Sequence, residues 1–215
     1  MFAPLHSIIE VGGPVVAILL AVSILALTVT LYKIIQFRAA GVGRHHELQR
    51  ALTLWDSGKR TFAVAELGRS KTYLTPVMQT GFTASDTVPT TLAARLEAET
   101  EAQFMQLERG FRFLDNVAQI APLLGLFGTV LGMISAFQAL QDVGNQVDPS
   151  LLAGGIWVAL LTTAVGLAVA MPTSLVLSWF EQRMDAERVF AGQAIQNIVA
   201  PLISEMSEQA AADAA

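Results

Sequence analysis

Three stretches without a charged residue constrain this 215-residue chain more than any other feature. The first runs from Val11 to Tyr32. The second lies between Asp115 and Asp142, centred on Ile120 to Phe137, and the third lies between Asp148 and Glu181. A helix needs about 20 apolar residues to cross ~30 Å of hydrocarbon, and each stretch meets that length. The apolar residues run on without a charged interruption, which is the pattern of spanning segments and not of one-sided globular helices. Only 14% of the residues are charged, against roughly 25% in a soluble domain. The expected fold is an all-α membrane protein with three transmembrane helices, whose long helices extend into a cytoplasmic helical domain.

A cleaved signal peptide is the competing reading of the first stretch. No Lys or Arg precedes the stretch, and it exceeds the roughly 7–15 apolar residues of a signal sequence, so it reads as a retained span. Lys33, Arg38, Arg44 and Arg50 follow at once, and ten of the thirteen Lys and Arg residues lie between 38 and 115. The positive-inside rule therefore puts the N-terminus outside and this polar stretch in the cytoplasm. The link from Gln141 to Ser150 has two aspartates and no basic residue, while Arg183 and Arg188 follow the third stretch, which gives the same orientation.

Within the polar stretch, Leu48, Ala51, Leu52 and Trp55 recur at helical spacing, Phe62 to Leu67 suggests another short element, and Thr75-Pro76 marks a break. From Thr90 to Asp115 the residues Leu92, Leu96, Phe104, Leu107, Phe111 and Leu114 form an amphipathic stripe. With no Gly-Pro break behind it, this helix is expected to continue into the second span as one rod. The acidic, alanine-rich tail from Glu205 to Ala215 is expected to fray.

Several function classes fall away. The absence of cysteine excludes disulfides, thiolate metal sites and cysteine nucleophiles. A net charge of −5 without a basic stripe gives no footprint for nucleic acid. His45 and His46 are adjacent and so lack the i, i+4 spacing of a helical metal pair; they read as solvated residues beside the membrane. Leu67 to Lys71 lacks the glycine spacing of a phosphate loop. No nucleophile-base-acid set stands out, so neither enzymatic activity nor a cofactor is expected.

Small residues mark the second and third spans. Gly125, Gly128, Thr129, Gly132, Ser135 and Ala136 lie in one, and Gly154, Gly155, Ala159, Thr162, Thr163, Gly166 and Ala170 in the other. Gly128 and Gly132 are four apart, as are Thr162, Gly166 and Ala170, so each set lines a face where helix backbones approach closely. The plain reading is glue between the two spans. A lone membrane threonine usually bonds its own helix three or four residues back, but Thr129, Thr162 and Thr163 together could line a narrow polar pore. A hydroxyl does not titrate near neutral pH, and no Asp, Glu, His, Lys or Arg lies inside any span. Proton conduction would need a titrating group from another chain.

The run LERGFRFLDNVAQIAPLLGLFGTVLGMISAF, Leu107 to Phe137, resembles the second-helix signature of the ExbB/TolQ family, which groups with the MotA proteins among ion-driven motor subunits. The run ALLTTAVGLAVAMP, Ala159 to Pro172, resembles that family's third-helix signature. The three-span layout is similar to the ExbB/TolQ branch and not to the four-span MotA branch. The resemblance implies a multi-pass protein of the bacterial inner membrane. Its expected organisation is a periplasmic N-terminus with the first span over 1–37, a cytoplasmic helical domain over 38–115 and a second span over 116–141. A short periplasmic loop over 142–150, a third span over 151–180 and a cytoplasmic C-terminal segment over 181–215 complete it.

The resemblance further implies a homopentamer around an ExbD/TolR-like single-span partner whose helix carries an aspartate, with a TonB/TolA-like protein transmitting force to the envelope, as in TonB-dependent import. By motif position Thr129 and Thr163 match the pore-facing threonines that the resemblance implies, and with Thr162 they are the candidate ion-pathway residues. Pro122, Gly125, Gly128, Gly132, Ala159, Gly166, Ala170 and Pro172 are the candidates for packing around the partner. A third-helix glutamate found in many members has no counterpart among Trp157, Val158 and Ala159. The Thr162-Thr163 doublet resembles sodium-driven members, and hydroxyl and carbonyl oxygens suit a hard cation. Sodium is therefore the alternative to the favoured proton, and a passive scaffold is the alternative to conduction.

Overall fold

In the computed structural model, residues 3–84, 88–143 and 149–201 are described, all of them in helices or the turns between them. The centre of the link between spans two and three, and the acidic tail, lie outside the described residues. The first helix, α1 (Ala3–Ala39), is two helices joined at a kink, because Gly13 has φ 66° and ψ −165° ahead of Pro14. Proline disfavours helical geometry in the residue before it, and only glycine takes this backbone conformation without strain. The far end of α1 closes in a Schellman turn: Val42 N–H bonds Phe37 C=O at 3.1 Å and Gly41 N–H bonds Arg38 C=O at 3.3 Å. Gly41 supplies the positive φ that this cap needs.

Four helices follow: α2 (His46–Asp56), α3 (Arg60–Leu67), α4 (Thr75–Thr83) and α5 (Pro89–Leu107). The stripe read from the sequence is the buried face of α2, namely Leu48, Ala51, Leu52 and Trp55. Pro76 opens α4 instead of breaking it, since a first-turn residue has no helical partner for its N–H. The long helices α6 (Phe111–Val143) and α7 (Pro149–Val199) complete the chain. With 51 residues, α7 is about 76 Å long at 1.5 Å per residue, more than twice the thickness of the hydrocarbon.

Three helices are long and apolar enough to cross a membrane, within Gly13–Ala39, Phe111–Gln141 and Leu152–Val199. In each, only 17–22% of the most apolar window is buried within the chain. Most of that apolar surface therefore has to be covered by lipid or by other chains. Contacts divide the molecule into two units, Met1–Tyr32 with Gly110–Trp179 and Lys33–Arg109 with Phe180–Ala215.

One expectation fails. The amphipathic helix does not run on into the second span: α5 ends at Leu107 and α6 begins at Phe111. Gly110 has φ 98°, a left-handed conformation that no helix interior tolerates. The end of α5 is then capped from a distance, because the buried Lys33 ammonium donates to Leu107 C=O at 2.8 Å and to Gln36 Oε1 at 2.7 Å. The first cation after span one thus satisfies a helix-end carbonyl.

The second unit is organised around the C-terminal part of α7, where Phe180, Met184, Glu187, Ala191, Ala194 and Ile198 are buried at three- and four-residue steps. Glu187 is a carboxylate in that apolar stripe and is fully buried. Its Oε1 lies 3.1 Å from His45 Nε2 and its Oε2 accepts the Tyr73 hydroxyl at 2.7 Å. His45 also stacks on Phe190 with ring centroids 4.0 Å apart. His45 is therefore not the solvated residue expected from the sequence, whereas its neighbour His46 is exposed. Trp55 stacks on Phe82 at 4.2 Å and donates its Nε1–H to Ile198 C=O at 3.3 Å, tying α2 and α4 to the end of α7.

Burial, reinforced by the Glu187 carboxylate, pushes the Tyr73 phenol well above its ordinary range. A phenol that ionises less readily folded than unfolded contributes stability that is complete below its unfolded value, about 10, and is lost as pH rises beyond it. Tyr73→Phe should lower stability by about 1–3 kcal/mol at neutral pH, the scale for a hydrogen bond to a buried charge. Thermal unfolding of the detergent-solubilised protein checks this. The gap between variant and parent should narrow when the measurement is repeated above pH ~10.

Candidate functional site: the seam between α6 and α7

The glycines of α6 and α7 mark where the two backbones meet. A Cβ added at Gly128 would lie 2.6 Å from Thr162 Oγ1, one at Gly132 3.0 Å from Ala159 Cβ, and one at Gly166 2.6 Å from Ala121 C=O. A Cβ at Gly125 would lie 3.0 Å from Thr162 C=O, and one at Gly155 would collide with Ala136. Going up α6 from Ala121 to Ala136, the partner positions descend α7 from Gly166 to Gly155, so the helices are antiparallel with glycine on both sides of the seam. Gly125, Gly128, Gly132, Ala159 and Gly166, expected to pack around a partner, are in contact across this seam within the chain. Ala170 is buried, Pro122 is half-buried and Pro172 is exposed. Gly154 faces open space.

The three threonines separate into distinct roles. Thr162 is buried in the seam, where its hydroxyl donates to Ala159 C=O at 2.7 Å and reaches Gly125 C=O across the seam at 3.2 Å. Thr129 is half-buried and bonds its own helix, donating to Leu126 C=O at 2.6 Å. Thr163 differs, because its hydroxyl oxygen is buried and has no hydrogen-bond partner. Unlike Thr129 and Thr162, it makes no bond to a carbonyl one turn back, although those of Ala159 and Leu160 both lie there.

Antiparallel packing also fixes where these hydroxyls point. Thr129 and Thr163 each follow a seam residue, Gly128 and Thr162, by one position, a rotation of about 100°. Two right-handed helices running in opposite directions turn in opposite senses when viewed from one end, so a step of one residue moves both positions to the same side of the pair. Thr129 and Thr163 therefore share one side of the hairpin, at the level of the Gly128–Thr162 contact. Hydroxyls there can donate and accept hydrogen bonds but cannot hold or release a proton near neutral pH. No Asp, Glu, His, Lys or Arg lies in 11–32, 116–141 or 149–180. Among the described residues no group of three His, Asp or Glu is placed to hold a metal ion.

Residues 69–190 match the model of the MotA/TolQ/ExbB proton channel family, which covers both helices of the seam. The chain belongs to this family. Similar proteins include the biopolymer transport protein exbB1 of Vibrio cholerae, 39% identical over 88 residues, and a putative ExbB homolog of Methanothermobacter thermautotrophicus, 41% identical over 85 residues. The Tol-Pal system protein TolQ of Haemophilus influenzae is 40% identical over 80 residues. The aligned segments make up 39%, 40% and 37% of this chain and 39%, 29% and 35% of those relatives, respectively.

Sequence reasoning missed the trio of His45, Tyr73 and Glu187, because its members lie far apart along the chain. A signal was present: Glu187 occupies the place in the stripe from Phe180 to Ile198 where an apolar residue belongs.

The seam makes a direct prediction about glycine. Gly166→Ala should destabilise by about 1–3 kcal/mol through overpacking against the Ala121 carbonyl, whereas Gly154→Ala should be neutral or stabilising by up to about 1 kcal/mol from helix propensity alone. Thermal melting of the two variants side by side checks the seam, since both changes add one methyl group to the same helix.

Proposed function

We propose that this chain is the motor subunit of an ion-driven complex in a bacterial inner membrane, with Thr129 and Thr163 lining the ion path on one side of the α6–α7 hairpin. The buried, unpartnered hydroxyl of Thr163 carries the reading. An unmet hydroxyl costs about 1–3 kcal/mol and is retained where water, an ion or another chain can satisfy it. With no Asp, Glu, His, Lys or Arg in the spans, the protonatable carboxylate comes from a partner. A single-span ExbD/TolR-like chain bearing an aspartate, enclosed by a homopentamer of this chain, meets that requirement. The relatives named for biopolymer transport and for the Tol-Pal system support coupling to an envelope process, such as TonB-dependent import through a TonB/TolA-like protein. The N-terminus is then periplasmic and the C-terminus cytoplasmic, an orientation that the distribution of Lys and Arg supports.

Proteoliposomes containing this chain and its single-span partner provide the test. Thr163→Val and Thr129→Val should each abolish ion flux while leaving the melting temperature close to that of the parent. Thr162→Val should instead lower the melting temperature, because it breaks the bond across the seam. Flux that survives both Thr129→Val and Thr163→Val removes the pore role and leaves the passive scaffold.

The proton is the favoured ion. Thr162 spends its hydroxyl on Ala159 and Gly125, so only one oxygen of the doublet remains for an ion, and a hard cation such as sodium needs several. Flux should persist in full when the sodium gradient is collapsed and the proton gradient is kept. Loss of flux under that condition would favour the sodium-driven alternative.

A further inference from the structure

A cleft of about 700 Å³ opens beside the cytoplasmic end of α1, lined on one side by Arg38, Arg44 and His46 and on the other by Arg69 and Lys71. Its size is within the usual range for small-ligand sites. The two sides come from segments about thirty residues apart, held together by the Tyr73 N–H bond to Ala40 C=O at 3.0 Å. Gly41 packs against Thr72, where a Cβ would lie 3.1 Å from Thr72 Cγ2. The cations therefore converge because the fold locks two loops together, and not because a single exposed helix face is basic.

Their electrostatic state is unusual. Arg69 pairs with Glu66 at 3.1 Å, but Arg38, Arg44 and Lys71 have no carboxylate partner among the described residues. Glu47 is the one acidic residue of the lining. The first residues of α2, His46 and Glu47, also line the cleft, and the helix starts there without a side-chain cap. Three unpaired cations around one cavity repel one another, and an anion entering the cleft relieves that repulsion. Arg38 lies six residues beyond Tyr32 on the same helix, about 9 Å at 1.5 Å per residue, which is near the outer edge of a headgroup layer roughly 5–8 Å thick on each side of the hydrocarbon.

From these observations we infer that the cleft binds a phosphate-type anion, and that its source is the headgroup of an anionic phospholipid in the cytoplasmic leaflet. Arginine offers paired donors to phosphate oxygens and lysine a point charge. Basic pockets on the cytoplasmic side of membrane proteins hold such headgroups by this chemistry. The inference does not depend on ion conduction, since it would stand for a motor or a scaffold.

The experiment is native mass spectrometry of the full chain, delipidated in detergent and titrated with phosphatidylglycerol or, separately, phosphatidylcholine. One saturable phosphatidylglycerol per chain is expected, with no saturable phosphatidylcholine. Arg38→Gln/Arg44→Gln/Lys71→Gln should weaken phosphatidylglycerol at least tenfold, and Lys71→Gln alone, which changes a single exposed side chain, about threefold. Arg95→Gln, which removes an exposed charge paired elsewhere with Glu99, should leave the affinity unchanged. Equal phosphatidylglycerol affinity in the parent and in both cleft variants would overturn the site. Displacement of phosphatidylglycerol by millimolar inorganic phosphate would overturn the lipid assignment in favour of a soluble phosphate, whereas resistance to it supports the headgroup.

Discussion

The close approach of two helix backbones at the α6–α7 seam is the constraint on which the membrane unit depends. Inside lipid there is no hydrophobic force to press two apolar helices together, so contact must come from van der Waals packing and interhelical hydrogen bonds. Both need backbones near enough to touch, and a Cβ at Gly128 or Gly166 would sit 2.6 Å from an atom of the facing helix. At that separation the Thr162 hydroxyl reaches the Gly125 carbonyl. Antiparallel registration then follows from the glycine pattern, and with it the placement of Thr129 and Thr163 on one side.

A different device holds the second unit, where two buried charged side chains each gather polar partners. Lys33 closes the end of α5 and Glu187 gathers Tyr73 and His45 onto α7. Removing one member of a buried charged set costs more than the set contributes as a whole, because its partner is left unpaired. Such contacts select one arrangement of several short helices whose apolar faces alone would allow alternatives. Around them, Arg188 reaches Glu108 at 2.9 Å and Glu101 at 3.1 Å from a partly exposed position, a weaker contribution in water.

The spans and the core face of α2 were legible in the sequence because each depends on periodicity within one segment. So were the glycine faces, since residues four apart share a helix face whatever the partner. The break at Gly110 was not, because an isolated glycine within a helical pattern is ordinarily tolerated; the left-handed φ becomes visible only in the folded chain. His45 was misread for a related reason. Its partner Glu187 is 142 residues away, and no local pattern joins them. Within the candidate site the resemblance matched Thr129 and Thr163 to pore-facing positions, and the register of the seam adds a separate place for Thr162.

That separation changes the meaning of the threonine doublet. In the sequence, Thr162-Thr163 resembles a pair of oxygen ligands for a cation. In the folded chain the two hydroxyls cannot act as a pair, since neighbouring residues on a helix point about 100° apart and the first is engaged in the seam. The doublet instead divides its work. Thr162 donates to the carbonyl of Ala159 and reaches across to Gly125, so its hydroxyl belongs to the seam. The second hydroxyl is buried without a partner, and no charge has been placed inside the membrane. A valine at 162 would fill similar volume but remove the hydroxyl that reaches across the seam. Two residues that look redundant thus differ, one holding the helices together and the other carrying the unpartnered hydroxyl.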